Sequence, residues 1–443
     1  MTPRLATRLV ASLLLQGILL APLVCSAALP IQHWSTAAGA QVYFVESHDL
    51  PMVDVIVEFP AGSARDTKQG SGLANLTLQM LRLGAGGMDE DQIARTLADT
   101  GANLSPVFDV DRAGYWLRTL SSEAEQQETL GVFARMLQAP SFPPTTLERE
   151  KARAVAALKE SDTKPETKAT RALAHLIFQD HPYAQRNGEP DTVPVLTRDD
   201  LVAFYRGHYN ADHAVVAIMG DVTRARAEQI AEALTGGLPA GSAAVSGLPS
   251  VPALAGPVER DIEHPSTQAH IVVGQPGMRR NDPDYFPLWV GNYILGGGGF
   301  SSRLYEQVRE KRGLSYSVYS YFAPYEQPGA FQVGLQTRGD QAQEALAVVR
   351  SVVGDFVARG PTQEELEAAK QNIVGGFALR IDSNRKIVEY LAVIGFYQLP
   401  LDYLDTFPVK VEAVTLEQIR DAFQRRIHPD RMATVVVGAK PSQ

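Results

Sequence analysis

Cysteine is almost absent from this chain of 443 residues, because Cys25 is the only one. It follows an apolar segment near the N terminus, and a mature chain that starts beyond that segment would contain no cysteine. Disulfide bonds are then excluded as a source of stability, and an oxidising compartment could not scramble the protein.

Apolar runs long enough to cross a membrane are also missing. Residues 9–24 form an uncharged run of 16 residues, which follows Arg4 and Arg8 and precedes small residues. A transmembrane helix needs roughly 20 apolar residues, so we expect no permanent membrane span. A basic start, a short apolar run and small residues are typical of a secretory signal peptide. We therefore predict a signal peptide at residues 1–28 and a periplasmic location.

Lipidation of Cys25 is the alternative use of this N terminus. A lipoprotein signal would place a small residue before the cysteine that is acylated. Val24 occupies that position. We therefore favour a cleaved, unlipidated chain over a lipoprotein.

Positive charge is in deficit. The chain has 41 Lys and Arg against 50 Asp and Glu, a formal net charge of -9, which becomes -11 when Arg4 and Arg8 are removed with the signal peptide. An acidic chain does not neutralise phosphates, so nucleic acid is not an expected partner. With 45% hydrophobic residues, the mature chain has enough apolar surface for two or three ordinary domains.

Charged residues are absent from residues 235–257, where Gly, Pro, Ser and Ala dominate. Such a composition is typical of a semi-extended linker, with a long surface loop as the alternative. We predict an N-terminal domain at residues 29–234, a linker at residues 235–257 and a C-terminal domain at residues 258–443.

The segments before the linker and before the C terminus follow the same pattern. Thr197 and Thr415 each precede a helix pattern, with Asp or Gln three residues later in the capping-box position. A β-branched strand then ends at Gly220 or Gly438, 23 residues after the threonine in both cases. We interpret this agreement as an internal duplication.

Strand and helix patterns alternate within the first copy. Val53, Val55, Val57 and Phe59 alternate along a predicted strand, and helix patterns follow it. The sequence therefore predicts an α+β fold of two homologous halves, each a mainly antiparallel sheet layered with helices on one side, arranged as half of a clamshell.

The second copy contains a glycine run and a basic segment. The run consists of Gly296, Gly297, Gly298 and Gly299, and Val308-Arg309-Glu310-Lys311-Arg312-Gly313-Leu314-Ser315-Tyr316 follows it. The segment does not contain the GxxxxGK[ST] motif between a strand and a helix, so a phosphate-binding loop is not expected. A flexible turn between two elements remains the simple alternative for the glycines.

Together with the duplication, these residues resemble the insulinase/pitrilysin family of inverted zinc peptidases, and the similarity extends through Gly395-Phe396-Tyr397-Gln398-Leu399-Pro400. The chain length is similar to the branch that includes mitochondrial processing peptidase and bacterial two-subunit enzymes. The resemblance implies that Arg309 and Tyr316 contact the substrate near the scissile bond. It also implies that the glycine run lines the chamber that holds the peptide.

The metal motif of that family is missing. Inverted zinc peptidases use H-x-x-E-H, in which two His hold zinc and the Glu takes a proton from the bound water. The equivalent positions here are Asn75, Leu78 and Gln79. Amides are poor zinc ligands, and leucine cannot accept a proton.

The third zinc ligand of the family is a Glu, and our placement of it falls on Ala157. A shift of three residues would bring Glu160 to that position. His264 and His270 lack the spacing of a helical metal motif, so we predict no metal in this chain.

Our leading hypothesis is a non-catalytic subunit of a periplasmic heterodimer that acts on peptide substrates. A partner of similar size would carry H-x-x-E-H and the zinc, while this chain supplies Arg309 and Tyr316. A stand-alone peptide-binding or assembly protein is the second hypothesis. The third is an active metallopeptidase with a non-standard site, which Glu160 or His264 would have to serve.

Overall fold

Three β-sheets, two large ones and one of two short strands, and thirteen α-helices make up the computed structural model, which describes residues 30–185, 188–241 and 247–438. The predicted signal peptide, Cys25 and residues 242–246 of the predicted linker lie outside the described residues. None of the helices in the described part of the chain is long and apolar enough to cross a membrane.

The first half of the chain contributes eight strands and seven helices. The strands are β1 (Gln32–Ser35), β2 (Gln41–Glu46), β3 (Met52–Phe59), β4 (Gly84–Ala85), β5 (Met88–Asp89), β6 (Asn103–Phe108), β7 (Ala113–Leu120) and β8 (Val215–Gly220). The helices are α1 (Leu73–Leu81), α2 (Glu90–Asp99), α3 (Glu123–Gln138), α4 (Pro144–Ser161), α5 (Pro165–Phe178), α6 (Arg198–His208) and α7 (Arg224–Thr235).

The second half contributes five strands and six helices. The strands are β9 (Val258–Ile262), β10 (Gln268–Pro276), β11 (Val318–Phe322), β12 (Ala330–Arg338) and β13 (Ala433–Val437). The helices are α8 (Tyr285–Asn292), α9 (Ala342–Arg359), α10 (Gln363–Gly375), α11 (Asn384–Phe396), α12 (Tyr403–Glu412) and α13 (Leu416–Arg426).

The two large sheets have the same topology. The first has the strand order β1-β2-β8-β3-β7-β6, and the second has the order β11-β12-β10-β13-β9. If β1 is left out, the first sheet has the order β2-β8-β3-β7-β6. The second sheet, read from its other edge, has the equivalent order β9-β13-β10-β12-β11. The only parallel pairs in the described sheets are β2 with β8 and β9 with β13, which are equivalent. The predicted fold class of two homologous, mainly antiparallel halves is confirmed.

The ends of the two halves are built from the same local signals. Thr197 and Thr415 accept hydrogen bonds from the backbone three residues later, and both form reciprocal capping boxes at α6 and α13. Strand β8 ends at Gly220 and β13 ends just before Gly438, and the two glycines have positive φ angles of 135° and 85°. The predicted duplication is therefore visible in the caps and in the strand ends.

The core of the first half forms on one face of its sheet. The alternating side chains of β3, Val53, Val55, Val57 and Phe59, are all fully buried there, as the sequence predicted. Residues of α1, α2, α3, α6 and α7 complete this cluster. Period-two alternation places one row of a strand against helices, which explains why β3 was predictable.

The opposite face of each sheet is covered by a helix from the other half. Helix α11 packs on β2, β3 and β8, while α5 packs on β10 and β13. Gly395 allows the close approach of α11, because a Cβ there would lie 2.6 Å from atoms of Tyr43 and Val215. We predicted helices on one side of each sheet only. That prediction was incomplete, because each half also places a helix on the other side of its neighbour's sheet.

A buried carboxylate connects the two halves. Asp111 accepts hydrogen bonds from the hydroxyls of Tyr183 at 2.6 Å and Tyr397 at 2.9 Å, and from the backbone N–H of Glu326 at 2.7 Å. Burial raises the pKa of Asp111 to about 6, although these hydrogen bonds favour the charged form.

The predicted linker runs between α7 and β9. Its first residue, Thr235, is the last residue of α7, and its other described residues, 236–241 and 247–257, contain no helix or strand. Leu254 is buried against α5 and the second sheet. The division of the chain into domains at residues 235–257 stays a prediction.

Candidate functional site

Helix α1 carries the positions of the missing metal motif. It begins after Gly72, which has a φ of 101° and no side chain to cap the helix. Asp66 supplies the cap from a distance, because its carboxylate accepts the N–H groups of Gly72 at 2.7 Å and Ala74 at 2.8 Å. Burial raises the pKa of Asp66 to about 7, against the effect of these two bonds. The helix frame is therefore intact and has its own buried cap.

The three motif positions do not fit a zinc ion. Leu78 is fully buried in the core of the first half, and its carbonyl accepts the hydroxyl of Tyr115 at 2.6 Å. Asn75 and Gln79 are half-buried, but their amides are weak substitutes for imidazole. Leu78, which occupies the position of the general base in the motif, is part of the hydrophobic core.

Neither position considered for the third ligand on α4 is buried. Ala157 lies on an exposed face, and so does Glu160, which is 3.6 Å from Lys164. The neighbouring half-buried positions are occupied by Ala154 and Val155, which have no lone pair to donate. Within the described ranges, no group of three or more His, Cys, Asp and Glu residues could hold a metal ion.

The histidine considered as an alternative ligand has a structural contact. The ring Nε2 of His264 is 2.9 Å from the backbone carbonyl of Thr163, and its Nδ1 accepts the N–H of Ser266. This histidine therefore fastens the start of β10 to the end of α4.

The glycine run follows α8 through a π-helical turn, Tyr293–Gly297. Gly296 is buried against β11, and a Cβ there would lie 2.4 Å from the hydroxyl of Ser320. Gly299 has a φ of 60° in open space, while Gly297 is exposed and Gly298 half-buried. Close packing and a left-handed turn explain the first and last glycines, and the exposed positions present bare backbone.

Arg309 lies in a second π-helical segment, Tyr305–Glu310, and rests on two aromatic rings. Its Nη1 donates a hydrogen bond to the hydroxyl of Tyr305. Its guanidinium carbon lies 4.8 Å from the ring centroid of Tyr305 and 5.9 Å from that of Phe300. The two rings meet edge to face at 4.9 Å. The rings orient the guanidinium, whose remaining donors are available to a ligand.

Tyr316 projects into solvent from the loop between this segment and β11. Its side chain is 85% exposed, the highest value among the large apolar and aromatic residues at the described surface. The loop is braced by Ser315, whose hydroxyl donates to the carbonyl of Ser317 at 2.6 Å and accepts its N–H at 3.1 Å. A loop that is braced in this way and presents an exposed phenol is suited to contact with another molecule.

Sequence reasoning missed the two rings beneath Arg309. Tyr305 is four residues before Arg309, so helical spacing could have indicated that contact. Phe300 is 76% exposed, and its place beside the arginine depends on the turn at Gly299. We call the three contacting residues Phe300, Tyr305 and Arg309, together with the exposed Tyr316 seven residues further along the chain, the arginine–aromatic surface.

The fold and these positions together define a peptidase-like protein in which the residues of the H-x-x-E-H motif are replaced. Sequence models of the family support this definition: insulinase (peptidase family M16) matches residues 41–191, and the peptidase M16 inactive domain matches residues 196–373. The chain therefore belongs to the insulinase family, peptidase family M16. The resemblance drawn from the sequence is confirmed.

Relatives of this chain include proteins named as inactive and proteins named as proteases. A peptidase M16 inactive domain from Pseudomonas fluorescens is 37% identical, with a TM-score of 0.90 over 94% of this chain and 100% of that structure. The non-peptidase homolog YmxG of Helicobacter pylori is 25% identical over 91% of this chain and 93% of its own length. An uncharacterized zinc protease from Streptomyces coelicolor is 33% identical over 60% of this chain and 59% of its own length.

The residues at the motif positions indicate which of these two groups of relatives this chain resembles. Its relationship to a non-peptidase homolog and to an inactive domain agrees with the replacement of the H-x-x-E-H residues. The chain is thus related to M16 proteins named as non-peptidase or inactive, and it has other residues at the positions of the H-x-x-E-H motif.

Proposed function

We propose that this chain is the non-catalytic subunit of a periplasmic, heterodimeric zinc peptidase. The zinc and the H-x-x-E-H motif belong to a partner of similar size, and this chain contributes Arg309 and Tyr316 to the bound peptide. The proposal rests on a contrast between two sets of residues in this chain, the metal-motif positions and the pair of Arg309 and Tyr316. The metal positions are closed by the buried Leu78, whereas Arg309 is held by the ring of Tyr305 and Tyr316 is exposed.

The composition of the arginine–aromatic surface supports the proposal. Arg and Tyr are the residue types that carry much of the binding energy in protein interfaces. Phe300 and Tyr316 are 76% and 85% exposed, and burial of such rings by a peptide or partner recovers hydrophobic free energy. The surface is therefore suited to an interface.

The chemistry of the pair suits amide hydrolysis on another chain. The guanidinium of Arg309 offers fixed donors to peptide carbonyls, and Tyr305 holds one edge of it. The phenol of Tyr316 can donate to the oxygen that becomes negative as water attacks, a contact typically worth about 3 kcal/mol in the transition state. The exposed backbone at Gly297 and Gly299 would line the same chamber.

Reconstitution tests this function. The mature chain and an H-x-x-E-H subunit encoded beside its gene are purified separately, and cleavage of an unstructured peptide is measured alone and after mixing. We expect no cleavage by this chain alone and a large gain when the two are mixed. Arg309→Ala should lose most of that gain.

Arg312→Ala provides the matched control, because Arg312 is exposed, lies three residues away and bonds only to Gln307 among the described residues. It should retain the gain in cleavage. Full activity of the partner alone, unchanged by either form of this chain, would refute the proposal. Zinc-dependent cleavage by this chain alone would do the same.

A further inference from the structure

A cavity of about 590 Å³ lies at the junction of the two halves. The first half contributes part of β2 and the segments after β3 and before β8. The second half contributes the end of α11 and the segments after β10 and between β11 and β12. Cavities of this volume are typical of small-molecule sites, and neither the metal motif nor the arginine–aromatic surface belongs to it.

Both acidic residues of the cavity wall already have a cationic or titratable neighbour. Glu326 lies 3.7 Å from the guanidinium of Arg65, whose side chain is only 8% exposed. Asp212 lies 3.4 Å from Nδ1 of His213. Neither acid forms an ion pair with the two other arginines in the wall.

Arg279 and Arg280 are those two arginines, and they follow β10 as neighbours in sequence. Arg279 has an exposed side chain and no ion-pair partner among the described residues. Arg280 donates a long bond of 3.4 Å to the hydroxyl of Tyr285, and its buried Nε has no partner within the described ranges. A buried donor without an acceptor is costly, and Arg280 has no carboxylate partner among the described residues to balance its charge.

Four aromatic rings also contribute to the wall. Tyr43, Tyr325, Phe396 and Tyr397 line the cavity. The guanidinium carbon of Arg280 is 5.3 Å from the ring centroid of Tyr397, whose hydroxyl is occupied by the buried carboxylate at the junction. The ring and the guanidinium are thus both held in place before any ligand arrives, which lowers the entropy cost of binding.

We propose that this cavity binds a carboxylate attached to an aromatic or large apolar group. Arg280 and Arg279 receive the carboxylate, because a guanidinium offers paired donors that match its two oxygens. The rings of Tyr43 and Phe396 receive the apolar group. A free small molecule and the C-terminal residue of a peptide present this same chemistry. The inference does not depend on the proposed peptidase partner.

Calorimetric titration of the mature chain tests the proposal. The probes are N-acetylphenylalanine, a decapeptide that ends in phenylalanine with a free carboxylate, the amidated form of each, and inorganic phosphate. We expect saturable binding of at least one free carboxylate and none of its amide. Binding of N-acetylphenylalanine alone identifies a small molecule as the ligand, and tighter binding of the decapeptide identifies a peptide end.

Variants locate the binding. Arg280→Lys keeps the charge and loses the paired donors, and Arg279→Gln changes an exposed side chain that the fold does not need. Each should weaken binding about tenfold or more. Arg206→Gln, at an exposed arginine on α6, should leave it unchanged.

Three results would overturn the inference. They are no saturable binding of either carboxylate to the unaltered chain, equal binding of the amides or of phosphate, and unchanged binding in both cavity variants. Because Arg309 and Tyr316 are not involved, these results are independent of the reconstitution experiment.

Discussion

Tyr305 holds Arg309 in two ways: its hydroxyl accepts a hydrogen bond from Nη1, and its ring lies 4.8 Å from the guanidinium carbon. Tyr305→Phe removes the hydrogen bond and keeps the ring. We expect kcat/KM of the reconstituted peptidase to fall less than in Arg309→Ala, because orientation is lost while the charge remains. The free energy of unfolding should fall by about 0.5 to 1.5 kcal/mol, as is typical for a single hydrogen bond.

Phe300→Ala separates orientation from stability. Phe300 is 76% exposed, so its removal should cost the fold little, yet it takes away one of the rings beside the arginine. Activity that is unchanged in both Tyr305→Phe and Phe300→Ala would contradict the positioning role of the rings.

We expect replacement of Leu78 by the glutamate of the motif to destabilise the fold. Leu78→Glu places a carboxylate at a fully buried position, and we expect it to lower the free energy of unfolding by about 2 to 5 kcal/mol. Gln79→Glu, at the half-buried neighbouring position, is the matched control and should cost much less. Urea denaturation measures both. Equal stability of the two variants would show that the motif position is not part of the core.

Asp66 should give the protein an unusual dependence on pH. Its pKa is raised to about 7 in the folded state, mainly by burial, and an unfolded aspartate titrates near 4. The folded state therefore holds the proton more tightly between these values. The contribution of Asp66 to stability is full below pH of about 4 and is lost as the pH rises through about 7.

Comparison with Asp66→Asn isolates this effect. The difference in free energy of unfolding between the natural chain and Asp66→Asn should shift against the natural chain between pH 4 and pH 7. Asp199→Asn, at an exposed position in α6, controls for loss of a surface charge. A difference that is constant over this pH range would contradict the assignment.

The junction of the halves should depend on the tyrosines that share Asp111. Tyr183→Phe and Tyr397→Phe each remove a hydrogen bond to a buried carboxylate, and each should cost about 1.5 to 3 kcal/mol near neutral pH. Because both hydroxyls bind one carboxylate, the double variant should differ from the sum by at least about 0.5 kcal/mol.

Tyr205→Phe is the reference for this pair. Tyr205 is buried within the first half, and its hydroxyl donates to the neutral carbonyl of Leu137 at 2.8 Å. It should cost less than either junction tyrosine in the same denaturation experiment. A larger cost for Tyr205→Phe than for Tyr397→Phe would contradict a special role for Asp111.

Local signals made much of each half predictable. The boxes at Thr197 and Thr415 and the alternating valines of β3 are determined by short-range geometry, which sequence spacing records directly. The exchange of α5 and α11 was not predictable in this way. An amphipathic pattern gives the face that a helix buries, but it does not identify the sheet that receives that face.

In the candidate site, too, the sequence predicted the residues that follow a fixed spacing and missed the contacts that depend on packing. Asn75, Leu78 and Gln79 were found by their fixed spacing on α1. The position on α4 depends on the rotation of that helix, which places Ala157 and Glu160 outward and was invisible in the sequence. Asp66 caps α1 from across a loop, a contact for which no sequence interval gives a signal.

The central claim is that this chain acts on a peptide held at another subunit's zinc, and Tyr316→Phe in the reconstituted heterodimer tests it most directly. Tyr316 is 85% exposed, so removal of one oxygen leaves the fold and the complex intact. We predict that kcat falls about a hundredfold or more, as for loss of an oxyanion donor, while KM and the affinity between the subunits change little. An unchanged kcat in a complex that still forms would contradict the account.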